Sequence, residues 1–405
     1  MPRTPIRLAC LLLLTSCGVS HQLFGGGPDT GLGQTAATPT VFGYAVADEP
    51  QAALIGRAIL NEGGNAADAA AAIGFAMSVT LPSRAGLGGG GACVIAMPNT
   101  PVTTLIFPPG EPAAPGGSRP AAVPALARGL LALQAKYGQL PYSATIVPAE
   151  RLAGGVPVSP ALAADLKVVG PALLADPAAA EVFGENGAVL PEGATLQQPD
   201  LATALEVLRT QGVPGFYNGD FAQNFAAAAR AAGAHLSATD LQSTIPQFLP
   251  PVTTSQNGFD IAGLPESAPT GAILPASAAF MALDKNGGAV ACVTSMNNLF
   301  GTGRIAAGTG ILLAASPRAI PTPILAAAIA TAGSRFRAAV TGTGETAAAQ
   351  AALDAMQAAL ARQPVNTPDP GRANLISCPD LVPGGEASCT ATADARGGGL
   401  AVGGR

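Results

Sequence analysis

The chain has 405 residues, of which 48% are hydrophobic and 11% charged, and its formal net charge is −5 at pH 7. This length is enough for one large domain or two ordinary ones, and the composition is that of a globular protein. The slight acidic excess excludes a basic surface for nucleic acid. The two histidines, His21 and His235, are far apart, and no His/Cys metal-binding spacing occurs. We therefore expect no metal site and no cofactor.

Residues 1–17 have the features of an export signal. Arg3 and Arg7 precede an apolar run at residues 8–14 that is too short to span a membrane. The run ends in Leu-Thr-Ser-Cys17, which resembles a bacterial lipobox, so Cys17 would be the lipidated first residue of the mature protein. An ordinary secretory signal with an incidental cysteine is the alternative. Residues 18–40 are predicted to form a flexible tether. The protein would then be exported and lipid-anchored on the periplasmic side of a bacterial envelope, with the choice of membrane open.

The region from residue 41 to residue 241 alternates between apolar strands and alanine-rich helices. A strand at residues 41–47 precedes a helix at residues 50–60, and Asn65 with Asp68 forms a capping-box pattern that begins a second helix. A glycine run at residues 86–91 follows this helix and precedes a strand. A dinucleotide-binding fingerprint needs the opposite order, so we reject that function. Tight packing of a helix on a sheet would also need such glycines. Further helices are predicted at residues 123–138, from 142, at 159–166, from 200 and at 220–232.

Residues 283–313 carry the clearest turn signals in the chain. An apolar strand ends at Asp284, turns at Asn286-Gly287-Gly288 and returns through residues 289–293, which predicts a hairpin. Residues 297–303 are polar and glycine-rich, as expected where the backbone packs closely against a neighbouring group. A second glycine turn at residues 308–310 leads into another apolar strand. After it, the sequence predicts a long alanine-rich helix that ends near residue 362.

Several of these segments together resemble the γ-glutamyltransferase family of N-terminal-nucleophile (Ntn) hydrolases. The similar stretches are GGNAADAAAA, LPSRAGLGGGGACVI, the asparagine-to-FGTG loop and GTGILL. The resemblance implies an α+β fold, a four-layer αββα sandwich. Residues 242–275 are short and proline-rich where family members carry a longer, mostly helical segment, which implies a shortened sandwich. One globular domain would contain a large-subunit-like region at residues 41–276 and a small-subunit-like region at residues 277–405.

The same resemblance implies a catalytic site. Family members cleave themselves before a threonine, whose hydroxyl is then the nucleophile and whose α-amine is the base. Here Ser277 occupies that position, Ser295 the place of a second hydroxyl that bonds the nucleophile, and Asn297 a place that touches the substrate. Gly342 and Gly344 would offer oxyanion-hole amides. The alternative for Ser277 is a small residue that merely starts a buried strand.

The substrate-binding motifs of the family are altered in this sequence. A family arginine that suits a carboxylate is replaced by Pro108, an acidic residue is lost within residues 314–317, and a serine pair is lost within residues 317–322. One hypothesis is a processed hydrolase or transferase with weak or altered activity, acting on a γ-glutamyl or related amide of a small molecule or peptide. A second is a degenerate member that serves as an envelope binding or structural lipoprotein. A third is an unrelated secreted alanine-rich protein. The oligomeric state stays open.

Four cysteines remain after Cys17. Cys378 and Cys389 close a short loop in a polar, glycine-rich segment, and we expect them to pair in an oxidising compartment. Cys93 and Cys292 lie in predicted apolar strands, and we expect them to be buried small hydrophobic residues rather than nucleophiles.

Overall fold

A computed structural model describes residues 41–265, 277–323 and 325–404 of the chain. Two antiparallel sheets are stacked on each other, and helices cover their outer faces. The helices are α1 Pro50–Asn61, α2 Ala66–Thr80, α3 Pro82–Ala85, α4 Leu126–Tyr137, α5 Tyr142–Ala153, α6 Pro160–Leu173, α7 Pro177–Phe183, α8 Pro199–Tyr217, α9 Asp220–Ala231, α10 Asp240–Ser243 and α11 Ala348–Ala361.

The strands are β1 Gly43–Ala47, β2 Gly90–Ala96, β3 Thr103–Phe107, β4 Val156–Pro157, β5 Gly184–Glu185, β6 Ala188–Val189, β7 Thr195–Leu196, β8 Gln247–Leu249, β9 Val252–Gln256, β10 Phe259–Gly263, β11 Ser277–Asp284, β12 Ala289–Ser295, β13 Ile305–Ala306, β14 Ile311–Leu312, β15 Ala326–Ala332, β16 Arg335–Thr343, β17 Arg372–Val382, β18 Thr390–Thr392 and β19 Leu400–Gly404. The first sheet has the order β19-β1-β11-β12-β2-β3-β8, and the second has the order β18-β17-β16-β15-β10-β9. Because β1 lies between β19 and β11, the first sheet contains strands from both the large-subunit-like and the small-subunit-like region.

Three hydrophobic clusters define four layers. The largest cluster joins α1, α2, α4, α5 and α8 to the outer face of the first sheet. A second cluster lies between the two sheets, and a third joins α11 to the outer face of the second sheet. The order helix, sheet, sheet, helix confirms the αββα sandwich that the sequence predicts.

The alternation of side chains along β11 assigns its two faces. Phe280 and Ala282 pack in the helix-side cluster, whereas Ala279, Met281 and Leu283 pack in the cluster between the sheets. Successive side chains on a strand point to opposite faces. Ser277 therefore lies on the face of the first sheet that meets the second sheet. The same alternation in β12 places Ser295 on that face, because Val293 packs between the sheets.

Local sequence signals account for the elements around this strand. Asn65 caps α2, and its side chain and that of Asp68 form the capping box that the sequence predicts. Gly287 has a φ of +83° in the turn that joins β11 to β12, which confirms the hairpin. In the glycine run, a Cβ on Gly89 would lie 2.4 Å from the carbonyl oxygen of Ser295. The run therefore allows a close approach of two backbones.

The segment before Ser277 differs from its expected form. Residues 242–265 contain β8 at the edge of the first sheet and the pair β9 and β10 in the second sheet. The sequence did not predict these strands. In β9 every residue is exposed, so no apolar alternation marks that strand. Residues 105–107 belong to β3, which is hydrogen-bonded to β2. The one helix that reaches into residues 242–265 is the one-turn helix α10, which is consistent with a shortened helical segment.

Cys93 and Cys292 form a disulfide, which corrects the expectation that each is simply a buried hydrophobic residue. They are direct register partners in β2 and β12, so their α-carbons lie only 4.0 Å apart. That register depends on the order of the strands in the sheet, which the positions of two separate cysteines do not reveal. Cys378 and Cys389, the pair that the sequence predicts, also form a disulfide.

The predicted export signal and tether, including Cys17, lie outside the described residues, so lipid anchoring stays a prediction. Within residues 41–265, 277–323 and 325–404, we find no helix with the length and apolar character needed to cross a bilayer.

Candidate active site

Two serines and a glycine lie side by side across three central strands. Ser277 in β11 is the register partner of Ser295 in β12, and Ser295 is the partner of Gly90 in β2. The two serines are 2% and 0% exposed, respectively. Directly opposite residues of an antiparallel pair have Cβ atoms about 5 Å apart. The structure therefore brings together the predicted nucleophile and the predicted second hydroxyl.

Asn297 extends this row beyond the end of β12. Its backbone N–H donates to Ser295 Oγ at 2.8 Å, and its side-chain Nδ2 donates to the carbonyl of Ala315 at 2.8 Å. Asn297 is fully buried with a φ of 62°, a left-handed conformation that asparagine tolerates better than most residues. Its Oδ1 is buried without a hydrogen-bond partner in the described structure. A buried unpaired acceptor is costly, which makes Oδ1 a candidate contact for a bound donor group.

Pro108 stands beside the same row of residues. A Cβ on Gly90 would lie 2.6 Å from the carbonyl carbon of Pro108, so residue 108 borders the partner of Ser295. Proline offers neither a charge nor a backbone N–H. The position where the family resemblance implies a carboxylate-binding arginine therefore has no cation.

Asp48 connects β11 to the second sheet, and the sequence did not identify it. Its Oδ2 accepts from the N–H of Ala279 at 2.8 Å, two residues beyond Ser277, and its Oδ1 accepts from Asn374 Nδ2 at 2.7 Å. Burial raises the pKa of the Asp48 carboxyl above its ordinary value, although these two hydrogen bonds lower it in part. The contact joins residues that are far apart in the chain, so no local motif could have indicated it.

Gly342 lies in β16 of the second sheet, and Gly344 lies just beyond the end of that strand. Gly342 is paired on one side with Ala326 and on the other with Ala373. A Cβ on Gly342 would lie 2.0 Å from the carbonyl oxygen of Ala348. The close packing of α11 thus accounts for glycine at this position. Gly344, just beyond β16, has a φ of +103°. The oxyanion role of the two glycines stays a prediction.

A cavity of 320 Å³ opens next to Asn297. Its walls come from the loop at residues 298–303, the second half of α6 and the segment that follows Ala315. Arg119 lines the cavity and is exposed. In the sequence, Arg119 is a single cation among glycine, serine and proline residues, and no motif marks it as a site residue. For the described residues, no group of three His, Cys, Asp or Glu side chains is placed to hold a metal ion.

Comparison with solved structures identifies the fold class. The cephalosporin acylase from Bacillus halodurans superimposes with a TM-score of 0.72 over 95% of this chain and 98% of its own, at 17% identity. The Helicobacter pylori gamma-glutamyltranspeptidase superimposes with a TM-score of 0.53 over 57% of this chain and 72% of its own, at 30% identity. The fold is that of the Ntn hydrolases.

Sequence comparison identifies the family. The Gamma-glutamyltranspeptidase family profile matches residues 52–277. A glutathione hydrolase proenzyme of Bacillus subtilis is 31% identical over 255 residues, 57% of this chain and 43% of that protein. The corresponding proenzyme of Escherichia coli is 30% identical over 243 residues, 55% of this chain and 42% of its own. The chain belongs to the gamma-glutamyltranspeptidase family, although it matches less than half the length of these relatives.

Proposed function

We propose that this protein is an Ntn hydrolase that cleaves or transfers an amide-linked acyl group, with Ser277 as the nucleophile. Its acyl donor is a γ-glutamyl or related amide of a small molecule or peptide. The observation that carries the proposal is the register pair of Ser277 and Ser295, buried at the start of a central strand and continued by Asn297. Membership of the gamma-glutamyltranspeptidase family supports the reaction class.

The proposed chemistry begins on the chain itself. Ser277 Oγ adds to the carbonyl carbon of Ala276, and breaking the C–N bond gives an ester and frees the α-amine of Ser277. Water then hydrolyses the ester, which leaves a carboxyl group on Ala276. The description of two relatives as proenzymes is consistent with a processing step of this kind.

The same hydroxyl then acts on the substrate. The α-amine of Ser277 takes the hydroxyl proton while Oγ adds to the amide carbonyl, and the proton passes to the departing amine. Water or a second amine next attacks the acyl–serine ester, which releases an acid or a new amide. Ser295 lies beside this centre and orients it, because its hydroxyl is held by the N–H of Asn297.

A second candidate function is binding without turnover. It is favoured by one observation, the absence of a cation at Pro108 beside the serine row. An uncleaved chain would keep Ser277 in peptide linkage without its free amine. The protein would then serve as a binding or structural component of the envelope.

Reducing, denaturing electrophoresis with N-terminal sequencing tests the proposal. We expect two polypeptides, the smaller one beginning at Ser277, and a single intact chain for Ser277→Ala. Ser277→Thr, which keeps a hydroxyl, is the matched control and should still be cleaved. If the unsubstituted protein stays intact for days, the proposed mechanism is wrong and the binding function replaces it.

A further inference from the structure

The cavity beside Asn297 has an uneven distribution of charge. Its walls include apolar side chains, among them Val169, Leu173 and Ile320. Arg119 is the charged residue among the described residues that line it, and none of those residues is acidic. An arginine guanidinium presents planar donors that match a carboxylate. The cavity therefore suits a ligand that has both an apolar part and one carboxylate.

The guanidinium of Arg119 is available for such a ligand. Within residues 41–265, 277–323 and 325–404, no carboxylate pairs with it. Two other arginines near the cavity do have partners: Arg304 pairs with Asp176 at 3.0 Å and Arg318 pairs with Glu111 at 3.0 Å. Thr302, which also lines the cavity, has a buried hydroxyl without a hydrogen-bond partner in the described structure. Among the described residues, the cavity thus has a cation without a carboxylate partner, and one of its lining residues has a buried hydroxyl that makes no hydrogen bond.

Backbone hydrogen bonds tie Arg119 to the serine row. The carbonyl of Pro120, the next residue, accepts from Ser316 N at 3.0 Å. The neighbouring Ala315 donates to the carbonyl of Met296 at 3.1 Å and accepts from Asn297 Nδ2. Chain segments hydrogen-bonded side by side run about 4.8 Å apart. Arg119 therefore lies about two such spacings from residues 296–297, which directly follow Ser295.

We propose that this cavity is the subsite for the carboxylate of the amide substrate and that Arg119 is its anion-binding residue. The proposal rests on the function proposed above and names its substrate class: an amide that carries one carboxylate next to an apolar group. Arg119 supplies from a different loop the positive charge that is missing at Pro108. The cavity walls then select for an apolar portion of the substrate.

Binding of a matched pair of probes tests the proposal. N-acetyl-L-phenylalanine carries a carboxylate and an apolar ring, and N-acetyl-L-phenylalaninamide is its neutral counterpart. Calorimetric titration of both into the Ser277→Ala protein avoids turnover and cleavage. We expect the acid to bind about tenfold more tightly than the amide, which corresponds to about 1.4 kcal/mol. Arg119→Gln should remove this preference, and Arg119→Lys should retain part of it.

Arg318→Gln is the matched control, because Arg318 is exposed, already paired with Glu111 and outside the cavity lining. It should leave the preference for the acid unchanged. Equal binding of both probes, no binding of either probe, or an acid preference that survives Arg119→Gln would overturn the proposal. The titration does not depend on catalysis. If the acid binds more tightly but the unsubstituted chain never cleaves before Ser277, the subsite proposal stands and the proposed reaction is wrong.

Discussion

The disulfide between Cys93 and Cys292 joins two parts of the chain that the proposed cleavage before Ser277 would separate. Cys93 lies in β2, which belongs to residues 41–276, and Cys292 lies in β12, which belongs to residues 277–405. Cleavage would thus leave two polypeptides that remain covalently linked through the centre of the first sheet.

This relationship predicts a difference between two gels. Without reductant, the processed protein should migrate as one species, and with reductant it should separate into two. Cys93→Ala should give two species in both gels, because it removes the link. Cys378→Ala is the control, since the Cys378–Cys389 disulfide lies within residues 277–405. Separation of the unsubstituted processed protein without reductant would show that the Cys93–Cys292 link is absent.

Ser295→Ala should weaken both folding and processing. The change removes the acceptor of the Asn297 N–H in a position that is 0% exposed, and an unpaired buried donor costs about 1–3 kcal/mol. Urea unfolding in the Ser277→Ala background measures the first effect, and the rate of cleavage in the otherwise unsubstituted chain measures the second. Ser295→Thr keeps the acceptor oxygen and should restore most of the cleavage. A Ser295→Ala protein as stable and as quickly cleaved as the original would contradict this role.

The buried carboxyl of Asp48 should make the free energy of unfolding depend on pH. Its pKa is raised on folding, so the unfolded chain loses this proton at a lower pH than the folded chain does. The contribution of Asp48 to the free energy of unfolding is fully present below its unfolded pKa of about 3.9 and declines as the pH rises through the folded pKa. Asp48→Asn removes this decline.

The measurement is the free energy of unfolding from pH 3.5 to 7 for the Ser277→Ala protein with and without Asp48→Asn. The variant should have a lower free energy of unfolding at all pH values. Asn offers one acceptor oxygen, whereas the N–H of Ala279 and Nδ2 of Asn374 need two. Its deficit should shrink as the pH rises. A deficit that is constant, or that grows with pH, would show that the folded pKa of Asp48 is not raised.

Gly342→Ala should destabilise the second sheet. The added Cβ would meet the carbonyl oxygen of Ala348 at 2.0 Å, so β16 and α11 must separate, at a cost of about 2 kcal/mol or more. Gly263→Ala in the same sheet is the control, because its nearest contact would be 3.7 Å away. That substitution should change the free energy of unfolding by about 0.5 kcal/mol or less. Thermal unfolding compares the two variants directly, and equal melting temperatures would contradict the close packing of α11.

Short-range signals predicted the elements that depend on neighbouring residues. Asn65 and Asp68 are three residues apart, and a capping box involves only that spacing. The hairpin of β11 and β12 is encoded by its glycine turn and two apolar runs. The register of that hairpin then pairs Ser277 with Ser295, so this part of the site follows from local sequence. The strand β9 was missed because every one of its residues is exposed, so no apolar alternation marks it in the sequence.

The sequence by itself thus determined the central hairpin, the glycine-dependent contacts and the family resemblance that indicates Ser277. Only the tertiary structure decided which distant residues meet. The order of strands in the first sheet pairs Cys93 with Cys292, the stacking of two sheets brings Asn374 to Asp48, and the path of the loop before α4 places Arg119 at the cavity. The physical reason is the separation of the interacting residues along the chain. Caps and turns depend on residues that are close in sequence, whereas these contacts depend on strand order and sheet packing across the whole fold.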